Sequence, residues 1–268
     1  METIGVIGSG NMAEAIIKGI LSSGLYKAGD IMASDIRQER LDYIAKEYKI
    51  KTTLNNEDIV NHAKVLLICV KPQNVKTMLD GIEGKTRDNT LVISIAAGIT
   101  TTYLARRLSN CQVIRAMPNT PAMVGEGATA LFSANASKES VAHALKLFSA
   151  VGRAALVDKE ELIDAVTAIS GSGPAYFFLL MEEMIKTAVL LGLGEKTAVE
   201  MVLQTAKGAA ILAETQRSSQ GPSELRQKIT SPGGTTEAAM DIFMQHQFDL
   251  LVQKALTAAR DRSRQLAQ

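Results

Sequence analysis

The first residues of the chain constrain its fold more than any other segment. A short apolar run (TIGVIG, residues 3–8) passes directly into Gly8-Ser9-Gly10-Asn11-Met12-Ala13 and then into a helical pattern, NMAEAIIKGILSSG. A G-x-G-x-x-A fingerprint between a strand and a helix is typical of a dinucleotide-binding βαβ unit. Gly8 allows the tight turn, Gly10 lets a pyrophosphate approach the backbone, and the small Ala13 lets helix and strand pack closely. The pattern therefore predicts that residues 8–13, here called the phosphate loop, bind phosphates at a helix N-terminus.

Strand and helix patterns alternate through the first half of the chain. Apolar, β-branched runs recur as DIMAS, AKVLLICV, TLVISIAA, CQVIRAM, ATALFSA and GRAALVD, and helical patterns recur as RQERLDYIAKEY and SKESVAHALKLFSAV. Continuous apolar strands are expected where helices cover both faces of a parallel sheet. The alternation predicts an α/β fold, with a Rossmann-type doubly wound sheet over residues 1–162.

The pattern changes from about Glu161, after which no strand pattern recurs. Long helical runs predict an all-helical domain over residues 163–268. The run AYFFLLMEEMIKTAVLLGL is apolar nearly all round, which indicates a helix buried in a bundle or in a subunit interface.

Composition excludes several classes of function. A net charge of +1 and 4% aromatic residues without tryptophan argue against a nucleic-acid-binding surface. The N-terminus lacks the pattern of a signal peptide, and the most apolar stretch, AVTAISGSGPAYFFLLM, is interrupted by Gly, Ser and Pro, so no membrane span is predicted. Cys69 and Cys111 lie in apolar runs without metal-ligand spacing, so we expect buried, strand-borne cysteines and no metal. A soluble cytoplasmic enzyme is the expectation.

The end of the second strand, Ser34-Asp35-Ile36-Arg37, bears on the choice of nicotinamide cofactor. An acidic residue at the tip of that strand accepts a hydrogen bond from the ribose 2′-hydroxyl and repels a 2′-phosphate. Asp35 falls one place beyond the tip, which leaves the Ser34 hydroxyl and Arg37 to receive the phosphate. Alternatively, Asp35 only caps the following helix. The pattern favours NADPH and leaves NADH possible.

Other residues follow strands whose carboxyl ends should face a bound cofactor. Val70, Lys71 and Pro72 follow one strand, and Ala96 and Ala97 follow the next. Lys71 is either a catalytic acid or, as the pattern favours, a solvated or phosphate-facing lysine.

A rigid polar loop, Met117-Pro118-Asn119-Thr120-Pro121, follows a third strand. Asn119 either contacts substrate or makes only an Asx-type turn.

Residue types that are missing from the strand ends narrow the reaction. Oxidation of an alcohol generally requires a positioned base such as His or Lys. The three histidines, His62, His143 and His246, lie in polar helical segments. No lysine lies within two turns of Gly171-Ser172-Gly173, where a β-hydroxyacid dehydrogenase carries one. Because a protonated imine is already electrophilic, the pattern favours reduction of C=N over C–O chemistry.

Two segments of the helical half combine glycines with hydroxyl residues. Residues 170–176 (SGSGPAY) open the long apolar helix, and residues 231–236 (SPGGTT) precede the last helical run. Glycines followed by hydroxyls at a helix start suit an anion such as a substrate carboxylate, although each segment is alternatively only a helix cap.

Taken in order, GSGNMA, CVKPQ, SIAAG, RAMPNTPAMVGEGAT, DAVTAISGSGPAY and ITSPGGTTEAAM resemble the pyrroline-5-carboxylate reductase family over essentially the whole chain. SGSGPAY and SPGGTT are the most specific of these motifs. The resemblance implies reduction of Δ1-pyrroline-5-carboxylate to L-proline, the last step of proline biosynthesis, with hydride from NAD(P)H delivered to the imine carbon. It also implies homodimers formed through interleaved helical domains and commonly built into decamers, with each active site drawing on two subunits.

The resemblance also implies roles for individual residues. Thr236 is expected to contact the ring nitrogen and to help supply its proton, as the catalytic hydroxyl. Substrate contacts are expected at Ser231, Gly233, Gly234, Thr235 and Thr236, and Asn119 is added from the strand-end argument above. With Arg37 added from the argument above, cofactor contacts are expected at Gly8, Ser9, Gly10, Asn11, Met12, Ala13, Ser34, Arg37, Asn56, Val70, Lys71, Pro72, Ala96 and Ala97. Residues 216–227 match no family feature firmly.

Two alternatives stay open at this point. One is another imine or β-hydroxyacid reductase on the same plan, against which the missing lysine and the SPGGTT segment argue. The other is a catalytically silent NADPH-binding sensor, since a fold alone never proves activity.

Overall fold

The computed structural model describes residues 3–266. Residues 1–2 and 267–268, at the outer ends of the two predicted domains, lie outside the described residues. The chain divides into two compact units, one formed by Met1–Pro174 with Ala258–Gln268 and the other by Ala175–Thr257. The last strand ends at Leu156. The sequence-based boundary at residue 162 rests on the end of the strand pattern, and it stays a prediction.

The first unit contains one eight-stranded sheet with flanking helices. Its strands are β1 Ile4–Ile7, β2 Ile31–Ser34, β3 Lys51–Thr53, β4 Val65–Ile68, β5 Leu91–Ser94, β6 Gln112–Met117, β7 Gly127–Ser133 and β8 Gly152–Leu156. The spatial order is β3-β2-β1-β4-β5-β6-β7-β8. Strands β1 to β6 run parallel, β7 is antiparallel to β6, and β8 is parallel to β7. The order reverses between β1 and β4, so the carboxyl ends of these two strands form the switch point where such sheets bind ligands.

Helices pack on the sheet and continue into the second unit. They are α1 Asn11–Ser22, α2 Gln38–Tyr48, α3 Asn56–His62, α4 Pro72–Ile82, α5 Thr101–Arg107, α6 Lys138–Ser149, α7 Leu162–Val166, α8 Gly173–Leu190, α9 Glu195–Gln216, α10 Pro222–Lys228, α11 Thr235–Gln245 and α12 Phe248–Leu266. Short 3-10 turns cover Ala28–Asp30 and Thr120–Val124. The predicted α/β fold followed by helices is confirmed.

The central strands are buried on both faces. In β4, Val65 and Leu67 belong to one core cluster, whereas Leu66 and Ile68 belong to the other. Successive strand side chains point to opposite faces, so a strand with helices on both sides needs an unbroken apolar run. This is why AKVLLICV lacks alternation. The expectation of buried, strand-borne cysteines is corrected, because both lie just outside the strands: Cys69, only partly buried, directly follows β4, and the buried Cys111 directly precedes β6.

The SGSGPAY segment does not open a helix, which corrects the expectation from the sequence. Helix α7 continues through a π-helical turn, Thr167–Gly171, into α8, so that Leu162–Leu190 is one helical run. The Ser172 N–H donates to the Thr167 carbonyl at 2.8 Å, five residues earlier. Pro174 lies inside this run and has no N–H to donate to the carbonyl of Ser170. A local π turn accommodates the missing hydrogen bond.

Apolar side chains on the helical unit are exposed in the single chain. Phe177, Phe178 and Leu191 are 64%, 62% and 81% exposed. By length and composition alone, the run Leu162–Leu190 would suffice to cross a membrane. Large exposed apolar areas of this kind mark either a protein interface or a membrane contact.

Candidate active site

The phosphate loop has the backbone that its glycines predict. Gly8 adopts φ +90°, and a Cβ there would lie 2.9–3.0 Å from backbone atoms of Cys69 and Val70. A side chain at Gly8 would therefore force β1 away from β4. Above Gly10, by contrast, an added Cβ would meet no heavy atom within 4 Å, so the backbone there is open to a ligand. Ala13 is buried in the core beneath the loop, as close packing of helix and strand requires.

All the polar groups of Ser9 are used within the protein. Its N–H donates to the Asp35 carboxylate at 3.0 Å, and its buried hydroxyl donates to the Ser34 carbonyl at 3.0 Å. Its carbonyl accepts a hydrogen bond from Arg40 Nε. Ser9 therefore ties the loop to the end of β2 and to α2. The expected contact between Ser9 and the cofactor stays a prediction. The inward orientation of the Ser9 side chain does not favour it.

A cavity of about 670 Å³ lies at the carboxyl ends of β1, β2 and β4, within the size range of small-ligand sites. It brings together seven of the fourteen expected cofactor residues: Gly8, Gly10, Ser34, Arg37, Asn56, Val70 and Lys71. The other seven do not line it: Ser9, Asn11, Met12, Ala13, Pro72, Ala96 and Ala97. Asn11, Met12 and Ala13 form the first turn of α1, whose amides have no side-chain cap in the described chain.

The cavity fits a dinucleotide on three observations of this structure. The helix start of α1 offers unpaired N–H donors to phosphates, Gly10 leaves room for them, and the cavity opens at the strand-order switch point. Two exposed apolar side chains that the sequence analysis missed, Ile36 and Leu54, also line it and are 89% and 58% exposed. Isolated apolar residues in loops give no sequence signal of their own, but flat apolar surface is what an adenine ring requires.

Ser34 and Asn56 form one hydrogen-bonded pair at the rim of this cavity. The Ser34 hydroxyl donates to Asn56 Oδ1 at 2.7 Å. Asn56 is the first residue of α3, and Ser34 is the last residue of β2. Because its oxygen is occupied, the amide of Asn56 keeps its NH₂ group as the donor for a ligand.

Asp35 is held by its neighbours. Its carboxylate accepts hydrogen bonds from the N–H groups of Ser9 and Arg37 and from Arg37 Nε, at 3.0–3.2 Å. Partial burial opposes ionisation, but these hydrogen bonds and the Arg37 charge outweigh it and hold the pKa of Asp35 below its usual value. The Arg37 amide precedes α2, and within the described residues no first-turn amide of α2 donates to Asp35, so the capping alternative is not supported; Asp35 lines the cavity.

The end of β4 places a lysine and a cysteine beside the cavity. Lys71 is exposed at the N-cap of α4, and Pro72 is the first residue of that helix, where its missing N–H is harmless. Burial raises the pKa of the Cys69 thiol, which favours its protonated form. Two residues beyond the end of β5, Ala96 is buried and its N–H donates to Ser94 Oγ at 3.3 Å.

Asn119 braces the π-helical turn. Its Nδ2 donates to the Ser170 carbonyl at 2.9 Å, and its Oδ1 accepts from the Ala128 N–H at 2.8 Å. The Ser170 carbonyl is the one that Pro174 cannot satisfy, so Asn119 supplies the missing donor. Neither contact is the expected Asx-type turn. The side chain is largely buried and occupied, and its contact with substrate stays a prediction.

The SPGGTT segment, residues 231–236, forms a turn and the start of α11. The Gly234 N–H donates to the Ser231 carbonyl at 2.9 Å, and Gly233 adopts φ +72°. Gly234 is the N-cap and contributes no side chain, so Thr235 and Thr236 are the first helical residues. Glu237 closes the turn, because its carboxylate accepts from the Gly233 N–H at 2.6 Å. The geometry agrees with the helix start inferred from the sequence.

Within residues 3–266, no group of three or more His, Cys, Asp or Glu side chains is placed so that it could bind a metal ion. The expectation of metal-free chemistry stays a prediction.

Comparison with known proteins identifies the family to which this chain is similar. Residues 160–266 match the family model described as pyrroline-5-carboxylate reductase dimerisation, and residues 3–98 match the model described as NADP oxidoreductase coenzyme F420-dependent. The pyrroline-5-carboxylate reductase of Pseudomonas aeruginosa is 44% identical over 267 residues, which cover 99% of this chain and 97% of that protein.

Solved structures agree over the whole length. A pyrroline-5-carboxylate reductase from Coxiella burnetii superimposes with a TM-score of 0.93 at 37% identity, covering 100% of this chain and 99% of that one. The Plasmodium falciparum pyrroline carboxylate reductase with NADP bound gives a TM-score of 0.87 at 28% identity, covering 100% and 98%.

Proposed function

This chain belongs to the pyrroline-5-carboxylate reductase family, and from that membership we propose that it reduces Δ1-pyrroline-5-carboxylate to L-proline, the last step of proline biosynthesis. The observation that carries the proposal is the full-length similarity to reductases of this name. The cavity at the strand-order switch point and the glycine-rich start of α11 support it from the geometry.

NADPH is the proposed cofactor, with NADH possible and no metal required. When bound, the reduced nicotinamide supplies the hydride that the imine carbon accepts. The first-turn amides of α1 would hold the pyrophosphate, and the carboxyl end of β5 would border the nicotinamide through Ala96 and Ala97. For the 2′-phosphate, the donors at hand are the Asn56 NH₂ group and the outer guanidinium nitrogens of Arg37, which is exposed. Lys71, exposed at the cavity rim, suits a phosphate contact better than a proton transfer.

The SPGGTT segment is the proposed holder of the substrate carboxylate. Backbone N–H groups at the start of a helix and the Thr235 and Thr236 hydroxyls are donors of the kind that carboxylates accept. Thr236, half-buried at the second helical position, is the residue we propose to contact the ring nitrogen. The product amine carries one more proton on nitrogen than the imine, and a hydroxyl can relay that proton from solvent.

Assembly and location complete the proposal. The chain is proposed to form a homodimer through its helical unit, and dimers are proposed to build a decamer. The exposed Phe177 and Phe178, within the segment that matches the dimerisation model, support the first step. A subunit interface would bury these side chains against protein, so their exposure in the single chain does not require a membrane. A cytoplasmic location without membrane or nucleic-acid partners is proposed with it. Light scattering coupled to size exclusion measures the number of subunits.

The deciding experiment follows absorbance at 340 nm with purified protein, pyrroline-5-carboxylate, and NADPH or NADH in turn. Substrate-dependent oxidation faster with NADPH is the expected result. Folded protein that binds NADPH and oxidises neither cofactor would overturn the proposal and favour a silent sensor.

A further inference from the structure

The Arg40 side chain on α2 contacts the phosphate loop and the helix behind it at once. Its Nε donates to the Ser9 carbonyl, and its Nη2 pairs with the Glu14 carboxylate. Glu14 lies in the first turn of α1, directly after the amides of the loop. The second oxygen of Glu14 accepts from the hydroxyls of Tyr48 and Tyr43 at 2.8 and 3.0 Å. Apart from Ser9, these residues (Arg40, Glu14, Tyr43 and Tyr48) do not belong to the expected cofactor set.

A carboxylate at this position has a favourable effect on the helix before a cofactor binds and an unfavourable effect on the cofactor phosphates afterwards. In the free helix, Glu14 stabilises the positive end of the helix dipole. Once a pyrophosphate occupies the same helix end, an uncompensated carboxylate repels it. The Glu14 and Arg40 side chains are only 21% and 18% exposed, so solvent screens this charge less than it screens a surface pair.

Arg40 reduces the repulsion between the phosphate loop and bound phosphates in two ways. Its charge cancels that of Glu14, and its Nε donates to the Ser9 carbonyl, a partly negative oxygen of the phosphate loop. A lysine could cancel the charge but could not also present a second, fixed donor to Ser9. The loop then presents N–H groups without a competing negative charge.

We propose that Arg40 is a positioning residue for the cofactor phosphates, acting through Ser9 and Glu14. The inference rests on the proposed binding of a dinucleotide at the phosphate loop and adds a residue outside that loop. A merely structural brace between α1 and α2 would affect stability alone, whereas a positioning role affects the affinity for the cofactor.

The test measures the dissociation constant of NADPH directly, by the change in its fluorescence on binding to the full-length protein. Arg40→Met is expected to raise this constant about tenfold, the scale of one uncompensated, partly buried charge near the phosphates. Turnover at saturating NADPH is expected to change less than about twofold, because bound cofactor is then placed as before. The double variant Glu14→Gln with Arg40→Met is expected to recover at least half of the logarithmic loss.

Arg107→Met is the matched control. Arg107 also joins two helices through carboxylates, Asp80 and Glu83, and its side chain is 20% exposed. Its loss is expected to leave the NADPH constant unchanged. Circular dichroism of each variant establishes that it is folded. If Arg40→Met does not fold, Glu14→Gln tests the proposal by itself. This variant is expected to bind NADPH as tightly as wild type or more tightly, with a steeper salt dependence. Weaker NADPH binding by Glu14→Gln would overturn the proposal.

Two results would overturn the proposal directly. One is an unchanged NADPH constant in folded Arg40→Met, and the other is a double variant that binds no better than Arg40→Met. Neither depends on the reaction. Wild-type protein that binds NADPH but does not reduce pyrroline-5-carboxylate would refute the proposed function and leave the role of Arg40 standing.

Discussion

The Ser34 hydroxyl donates to Asn56 Oδ1 at 2.7 Å, and this bond decides which way the Asn56 amide faces. With its oxygen turned to Ser34, the amide offers its NH₂ group to the cavity. If Asn56 is the donor to a 2′-phosphate, as proposed, its orientation is set by Ser34 on β2, and we expect the pair to share the discrimination between NADPH and NADH.

Replacing Asn56 by Asp is expected to shift cofactor preference. Aspartate keeps an oxygen for Ser34 but puts a negative charge where the amide NH₂ stood, next to the proposed 2′-phosphate. The kcat/KM ratio of NADPH to NADH is expected to fall about tenfold or more, the scale of one charged contact. Steady-state kinetics with both cofactors measure the ratio. Asn61→Asp, on the same helix and exposed, is the control, and an unchanged ratio in Asn56→Asp would remove the pair from cofactor choice.

Thr236→Val is expected to separate catalysis from cofactor binding. Valine keeps the shape of threonine and removes the hydroxyl proposed to contact the ring nitrogen. Turnover is expected to fall about 100-fold, a typical contribution of one positioned proton donor, with NADPH affinity nearly unchanged. Thr215→Val is the control, because that hydroxyl only donates to the Ile211 carbonyl on an exposed helix. Wild-type kinetics in Thr236→Val would exclude a catalytic role for this residue.

Asn119→Ala is expected to lower the free energy of unfolding by about 2 kcal/mol, because two partly buried backbone groups lose their partners. These are the Ser170 carbonyl and the Ala128 N–H. Urea denaturation measures the loss at fixed protein concentration, with the exposed Asn61→Ala as the control. If Asn119 instead binds substrate, the KM for pyrroline-5-carboxylate would rise without this loss of stability.

Glu160→Ala is expected to destabilise the first unit by about 3 kcal/mol, because the buried Arg115 guanidinium loses its nearer carboxylate and keeps only Asp164, 3.8 Å away. The Arg115 side chain is 4% exposed and its Nη1 lies 3.2 Å from the Glu160 carboxylate. That carboxylate also accepts from the N–H and hydroxyl of Thr101 at 2.8 and 2.7 Å. The exposed pair Lys76–Asp80 provides the comparison, and Lys76→Ala is expected to cost less than about 1 kcal/mol. Equal losses in denaturant melts of the two variants would contradict this account.

Glu14 makes stability depend on pH in the acid range. Partial burial opposes its ionisation, but hydrogen bonds from Arg40, Tyr48 and Tyr43 outweigh it and hold the pKa of Glu14 below its usual value. A lowered pKa in the folded state means that the stabilisation is complete at neutral pH and is lost as the pH falls through that pKa. Glu14→Gln is therefore expected to be less stable than wild type at pH 7, with the difference shrinking as the pH falls. Denaturation curves across that range show it, and a difference independent of pH would contradict it.

Local patterns and family motifs predicted much of this molecule. The strand runs, the phosphate loop and the helix start at the SPGGTT segment each reside in consecutive residues, so their signals survive in one sequence. Strand β3, Lys51–Thr53, is too short and polar to give such a signal. No helix was predicted over α3, α4 or α5.

Features made by distant residues were not predictable in this way. The π-helical turn depends on Asn119, 51 residues before the Ser170 carbonyl that it satisfies. Likewise, Arg115 and Glu160 are 45 residues apart, and each taken alone resembles an ordinary surface charge. The inward turn of the Ser9 hydroxyl and the double contact of Arg40 follow from packing of α2 against the loop, which no single segment encodes.

The hydrogen bond between Ser263 and Asp164 bears on how the protein is made. The Ser263 hydroxyl donates to the buried Asp164 carboxylate at 2.8 Å, and 99 residues separate them. Ribosomes build the chain from its N-terminus at about 5–20 residues per second. Asp164 therefore leaves the ribosome well before its partner exists. The nucleotide-binding unit therefore receives this internal contact only after the whole of the helical unit, Ala175–Thr257, has been synthesised.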